Sequence, residues 1–286
     1  MWTEIARQIA NATGSPFEIQ DRRSVSGGCI NQGYALIGKN CTYFVKINRP
    51  VQVEMFAAEA LGLRQILATQ TIRAPQPLCW GTTEQSSYLV MEWLEFGPGS
   101  GAAWEAMGRQ LAHLHRQGQG TQYGWERNNT IGATPQINPW TDHWADFFTE
   151  QRLGFQLHLA NRRGGHFSDT ILEAIRQILG DRQPQPSLVH GDLWSGNAAV
   201  LVDGTPVILD PAVYYGDREV DIAMTELFGG FPGSFYQGYN RIWPLETGYQ
   251  QRKVIYNLYH ILNHFNLFGG GYGDQAQRMM HQILST

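Results

Sequence analysis

Asp192, Asn197 and Asp210 fall within the run Ser187-Leu-Val-His-Gly-Asp-Leu-Trp-Ser-Gly-Asn-Ala-Ala-Val-Leu-Val-Asp-Gly-Thr-Pro-Val-Ile-Leu-Asp210. Asp203-Gly204 between two apolar stretches predicts a two-residue hairpin. Val202 then faces Thr205 and, continuing outward, Asn197 faces Asp210. Directly opposed residues stand ~4.5–5.5 Å apart at Cα, so an amide oxygen and a carboxylate converge at the open end. Such a pair suits Mg²⁺, a hard cation that takes one or two protein oxygens and completes its shell with phosphate oxygens and water. Asp192, in the polar loop entering the hairpin, can orient a hydroxyl and accept its proton. Taken singly, each residue also reads as the polar end of a surface hairpin. The D-x-x-x-x-N spacing followed by an aspartate after a short hairpin matches the phosphoryl-transfer template.

A nucleotide bound there needs a phosphate cover and a cation. Ser26-Gly-Gly-Cys-Ile-Asn-Gln-Gly33 lies between strand-like segments, and its glycines let backbone N–H groups approach phosphate oxygens. It is neither G-x-G-x-x-G nor a Walker A loop, and it also reads as an ordinary turn. Lys46 follows on a strand between Val45 and Ile47, one of only three lysines in the chain. A lysine among apolar neighbours calls for an anionic partner. Glu59 on the next helix is the first candidate and Glu54 the second. The strand Ser87–Glu92 ends at a Gly-rich stretch, where backbone groups around Glu92 and Leu94 could meet an adenine edge.

Other groups carry less. Asp217, Glu219 and Asp221 could form a second acidic site, but Asp217 and Asp221 read better as anchors of the catalytic loop. His260 and His264 have zinc-compatible i, i+4 spacing without a third ligand in view. His113 and His115 cannot share a helical face and read as structural. Trp194 and Tyr214, beside the acidic residues, offer aromatic faces to a sugar ring or to the core. Cys29, within the Gly-rich loop, is a candidate redox thiol, whereas Cys41 and Cys79 read as inert core thiols.

The elements that must place these groups are legible in outline. A short amphipathic helix over 2–12 precedes a β-rich region, with a hairpin whose second strand is Cys41–Asn48, a helix over Glu54–Thr69, and strands at Leu78–Trp80 and Ser87–Glu92. Phe96-Gly-Pro-Gly-Ser-Gly101 reads as a linker. Helices follow over 104–117, 142–161 and 169–179, then the 197–210 hairpin and a helical C-terminus at 250–268 and 273–284. The expectation is an α+β chain of two lobes: a small β-rich N-lobe (residues 1–95) and a larger, mostly helical C-lobe (96–286), with a ligand cleft between them.

Composition narrows the classes. The 286 residues include 9 Trp, 12 Tyr and 13 Phe, too aromatic for disorder, and a net charge of −4 offers no general attraction to nucleic acid or anionic membrane. The N-terminus lacks an apolar signal core, the longest uncharged stretch (254–273) is broken by five Asn and His side chains, and the three cysteines show no C-x-x-C spacing. These features predict a cytoplasmic protein.

Five segments together carry a family resemblance: Gly27-Gly-Cys-Ile-Asn31, Phe44-Val-Lys46, Phe56-Ala-Ala-Glu59, His190-Gly-Asp-Leu-Trp-Ser-Gly-Asn197 and Leu209-Asp-Pro-Ala-Val-Tyr-Tyr-Gly-Asp-Arg-Glu-Val-Asp221. The sequence resembles the fructosamine/ketosamine-3-kinase family, in the aminoglycoside-phosphotransferase-like branch of the protein-kinase-like fold. The resemblance implies ATP and Mg²⁺ as cofactors, Lys46 and Glu59 as the nucleotide-positioning pair, Asp192 as base, and Asn197 and Asp210 as metal ligands. It further implies phosphorylation of the sugar 3-hydroxyl of a free or protein-bound ketosamine, followed by spontaneous elimination, a deglycation repair. Cys29 matches a redox-sensitive position of some members, so a monomer or a redox-dependent homodimer is expected. Glycine at 191, Asp210-Pro-Ala in place of Asp-Phe-Gly and no Ala-Pro-Glu argue against a protein kinase. A kinase of the same fold acting on an aminoglycoside, choline or homoserine is the alternative, and an inactive nucleotide-binding module the one after that.

Overall fold

Ile5 and Ile9 stand four residues apart and give helix α1 (Trp2–Thr13) one buried stripe, ended by Gly14 at φ 69°. The chain then forms β1 (Asp21–Val25), β2 (Gln32–Ile37), β3 (Thr42–Asn48), α2 (Val53–Ala68), β4 (Pro77–Thr82) and β5 (Ser87–Glu92). The computed structural model describes residues 1–26, 30–180 and 182–285, so Gly27, Gly28 and Cys29 lie outside the described residues. The five strands pair antiparallel in the order β1-β2-β3-β5-β4. Strand alternation sorts their side chains. Val45, Ile47 and Val90 face α1 in a small core with Ile5, Ile9 and Leu36, while Leu89 and Met91, opposite Lys46 and Phe44, face α2.

Phe96–Gly97, expected as linker, is instead a short strand, β6, paired with a strand of the second lobe. Next come α3 (Gly101–Gln117), capped by the Ser100 hydroxyl, and the hairpin β7 (Asn129–Ile131) and β8 (Thr134–Gln136). Helix α4 (Trp144–Asp146) runs through π-helical turns at Phe147–Gly154 into α5 (Phe155–Arg162), followed by α6 (Thr170–Leu179). Beyond these lie β9 (Ser187–Val189), β10 (Ala198–Leu201), β11 (Pro206–Ile208), β12 (Tyr214–Gly216), α7 (Glu219–Thr225), α8 (Gly233–Ile242), α9 (Tyr249–Phe268) and α10 (Tyr272–Leu284). The sequence reading leaves the β9–β12 pair and helices α7 and α8 unassigned: the strands have three residues each, and α8 is rich in Gly, Tyr and Asn.

Two glycines set the closest helix contact. A Cβ on Gly108 of α3 would stand 2.0 Å from the Phe235 carbonyl oxygen of α8, and one on Gly238 2.1 Å from that of Glu105. A single apolar core runs from Phe56, Leu63 and Met91 of the small lobe through Leu111, Trp144 and Tyr214 to Ile261 and Ile283. No helix among the described residues is long and apolar enough to cross a membrane.

Candidate active site

Lys46 is 6% exposed, and its ammonium reaches Glu59 Oε1 at 2.6 Å and Asp210 Oδ1 at 2.7 Å. Burial works against its charge, but the two carboxylates outweigh that cost and raise its pKa above the usual lysine value. Desolvation raises the Glu59 carboxyl despite Lys46 beside it. The second candidate partner, Glu54, pairs with Arg127 on the surface instead. One cation thus joins β3 and α2 of the small lobe to the end of the 197–210 hairpin in the large one.

That hairpin differs from its expected register. Ala198 pairs with Ile208, Ala199 with Val207 and Val200 with Pro206, so Leu201 opposes Thr205 around a three-residue loop. Gly204 takes the left-handed conformation at φ 86°, and the Asp203 carboxylate accepts from the Thr205 N–H, stabilising a type I turn plus bulge rather than the two-residue turn. Asn197 therefore opposes Leu209, whose N–H donates to the Asn197 carbonyl at 2.9 Å. Asp210 leaves the ladder with φ 54°, an uncommon backbone for a residue other than glycine. The left-handed backbone turns it out of the strand, where its carboxylate meets Lys46.

Asp192 sits on the neighbouring loop. Asn197 Nδ2 donates to its carbonyl at 2.9 Å and to Oδ2 at 3.3 Å. Burial, then repulsion from Asp210, pushes the Asp192 carboxyl well above the ordinary range. His190 ties the two acid-bearing loops together: its Nε2 donates to the Leu209 carbonyl at 2.8 Å, leaving Nδ1 to accept the Asp192 N–H at 3.2 Å. Asp221 accepts the N–H groups of His190 and Gly191 at 2.7 and 2.8 Å, and His115 Nε2 at 3.0 Å. Although burial pushes the Asp221 carboxyl up, the His115 hydrogen bond and the two imidazoles hold it below the usual range. Asp221 anchors the loop that carries Asp192. Asp217 does not: it meets Arg182 and Tyr256.

The residues fit a divalent cation bound together with phosphate. Asn197 Oδ1 and Asp210 Oδ2 accept no hydrogen bond from a described residue, so two hard oxygens are available beside the buried Lys46. No group of three or more His, Cys, Asp or Glu among the described residues could hold a metal alone. Such a site is complete only with ligand oxygens. On the Lys46 face of the sheet lies a cavity of about 550 Å³ lined by Val25, Ala35, Ile37, Thr42 and Trp93, among others. The Leu94 backbone beside it makes no hydrogen bond to another described residue, whereas the Glu92 N–H is taken by the Gln76 carbonyl and its carboxylate by Arg73 and the Gln76 N–H.

The fructosamine kinase family model matches residues 1–286. The chain belongs to that family. It is 65% identical to a probable ketoamine kinase of Synechocystis, over 99% of this chain and 97% of the relative. It is 41% identical to a chloroplastic protein-ribulosamine 3-kinase of Arabidopsis thaliana, over 95% and 85%. A crystal structure assigned as a fructosamine-3-kinase, from Haemophilus somnus, superposes with a TM-score of 0.94 at 33% identity, covering 99% of this chain and 98% of that one. An aminoglycoside phosphotransferase shares the fold at 16% identity and TM-score 0.62. The chain is accordingly a phosphotransferase with the α+β architecture expected.

Within this family member, the remaining candidates separate cleanly. Trp194 is 37% exposed beside Asp192, its ring edge-on to Phe228. Tyr214 is a correction: at 2% exposure, with the Arg152 guanidinium 4.1 Å above its ring, it presents no face to a sugar. Asn31 accepts from Asn48 Nδ2 at 2.7 Å, tying the Gly-rich loop to the end of β3. His260 is buried and held neutral, its pKa lowered to about 3 by desolvation. Cys41 is exposed rather than a core thiol, because the chain there is still turning into β3; half-buried Cys79 is pushed up to about 11 by burial. His190 and His115 carry more of the site than the sequence suggested; His190 stands in the quoted run before Asp192, whereas nothing in its spacing marks His115.

Proposed function

We propose that this enzyme transfers the γ-phosphoryl group of ATP to the sugar 3-hydroxyl of a ketosamine, with Mg²⁺ held by Asn197 and Asp210. The observation that carries the site reading is the Lys46 ammonium bridging Glu59 and Asp210 beside an Asp192 carboxylate of raised basicity. The cation supplies charge neutralisation across the phosphate oxygens. Lys46, pinned by Glu59, faces the nucleotide phosphates; the base edge lies in the cavity by Leu94, and Gly27, Gly28, Cys29 and Asn31 cover the phosphates.

Asp192 orients the acceptor hydroxyl and takes its proton. Asn197 Nδ2 holds that carboxylate in place, and its raised pKa makes it a stronger base than a solvated aspartate. Trp194 offers an exposed ring against the sugar. The names of two relatives, a probable ketoamine kinase and a protein-ribulosamine 3-kinase, support the acceptor class over an aminoglycoside. The 3-phosphate product then loses inorganic phosphate by β-elimination, and hydrolysis of the resulting adduct by water frees the amine and a 3-deoxy dicarbonyl.

Fructosamine, ribulosamine, erythrulosamine and aminoglycoside acceptors, compared by kcat/KM with Mg-ATP, test this reading. A ketosamine should be preferred by at least tenfold. Preference for an aminoglycoside, or no phosphorylation of any ketosamine, would overturn it.

A further inference from the structure

Asp210 and the residues after it are held by more than Lys46. The β7–β8 hairpin and the turn beyond it carry three buried amides, Asn129, Gln136 and Asn138. Gln136 Nε2 donates to the Ala212 carbonyl at 3.0 Å and to Asn129 Oδ1 at 2.8 Å. Asn129 Nδ2 donates to the Val213 carbonyl at 2.9 Å. Asn138 Nδ2 donates to the same Asn129 Oδ1 at 2.9 Å, and Tyr259 Oη donates to Gln136 Oε1 at 2.8 Å. Each amide is thereby oriented with its nitrogen toward a carbonyl.

The Ala212 N–H donates to the His190 carbonyl at 2.8 Å. The Ala212 carbonyl also lies against Gly191 of the catalytic loop, where a Cβ would stand 2.2 Å from it. Arg152 completes the network. It is fully buried with no carboxylate partner among the described residues, donates to Asn138 Oδ1 at 2.6 Å and to the Ile137 carbonyl at 2.7 Å, and stacks over Tyr214. A buried cation without a counterion is expensive unless its hydrogen bonds are well placed. All of these contacts converge on the segment that follows Asp210, whose left-handed backbone persists only where the surroundings over-determine it.

We infer that Gln136, with Asn129 and the supporting Tyr259 hydroxyl, is a positioning residue for Asp210: the amide clamp on the Ala212 and Val213 carbonyls fixes the carboxylate where it can bind the metal. The inference rests on the reading of Asp210 as a metal ligand. It assigns a role in the reaction to a hairpin whose amide side chains are buried on protein partners.

The test is the ratio of affinities for Mg-ADP and for ADP in EDTA, measured by titration calorimetry together with Tm. Gln136→Leu should lower the preference for Mg-ADP about tenfold while changing metal-free ADP affinity little. In an Asp210→Asn background the same substitution should change the ratio no further, because both act through one carboxylate. Tyr259→Phe, which keeps the ring and deletes one hydroxyl, should lower the ratio about threefold and serves if Gln136→Leu does not fold. A lowered Tm with an unchanged ratio in these variants would reduce the clamp to packing and overturn the inference. An unchanged ratio in Asp210→Asn itself would instead overturn the metal assignment.

Discussion

Asp192, the proposed base, is held in an electrostatic conflict. Its carboxyl is raised by burial first and by Asp210 second, and Asn197 opposes them only in part. Below about pH 4 an aspartate is protonated in both folded and unfolded chains and contributes nothing to pH-dependent stability. As pH rises past that point the unfolded state releases its proton first, so the folded state loses stability with rising pH. Asp192→Asn removes this loss. In metal-free buffer its Tm should match the parent near pH 4 and exceed it increasingly toward pH 7.5, at about 2–4 °C per kcal/mol relieved. Turnover should fall roughly 10²–10⁴-fold, as for loss of a general base. A Tm equal to or below the parent at pH 7.5 would show that Asp192 is not strained in the folded state.

At the scale of elements, glycines decide how closely helices approach the site. Gly62 of α2 lies against Val213, where a Cβ would stand 2.9 Å from a methyl group, so the helix carrying Glu59 is registered on the segment following Asp210. The α3–α8 crossing is tighter still, because the obstacles at Gly108 and Gly238 are backbone carbonyls that no rotamer can move. Helix α3 also carries His115, which supports Asp221 and hence the catalytic loop. Gly108→Ala should therefore cost about 3 kcal/mol by urea denaturation, the upper part of the usual overpacking range. Gly101→Ala, at the start of the same helix with open space around it, should stay within about 0.5 kcal/mol of the parent or stabilise slightly. Comparable losses at both positions would mean that the cost is helix propensity and not the crossing.

Across the whole molecule, the core does not divide where the sequence suggests two lobes. Helix α2 and the lower face of the small sheet share one apolar cluster with α3, α7 and α9, and only α1 and the outer sheet face form a second. The Lys46–Asp210 bridge crosses the same boundary. Ligand-free protein should consequently unfold in one calorimetric transition with equal calorimetric and van't Hoff enthalpies. Two resolved endotherms would show that the small lobe melts by itself.

The candidate site was legible because it rests on residue types at short spacing: Asp192 and Asn197 in one loop, Asp210 after one hairpin, and a lone lysine in an apolar strand. Strand alternation and helical periodicity likewise placed α1, α2, β3 and β5 close to where they fold, since each buries a face whose pattern is local. The hairpin register was misread by one residue because Asp203-Gly204 satisfies two turn types. Only the Asp203 hydrogen bond to Thr205 and the pairing of neighbouring strands choose between them. Tyr214 was ambiguous for a related reason, as an aromatic ring beside a catalytic loop packs inward or outward according to what covers it, here Arg152 from π-helical turns sixty residues upstream. His115, Asn129 and Gln136 act through partners far away in the chain, and no spacing rule reports a hydrogen bond between residues that only the fold brings together. Sequence alone determined which groups are proposed to transfer a phosphoryl group; tertiary structure decided which of them are held still, because that depends on buried carbonyls finding donors from distant elements.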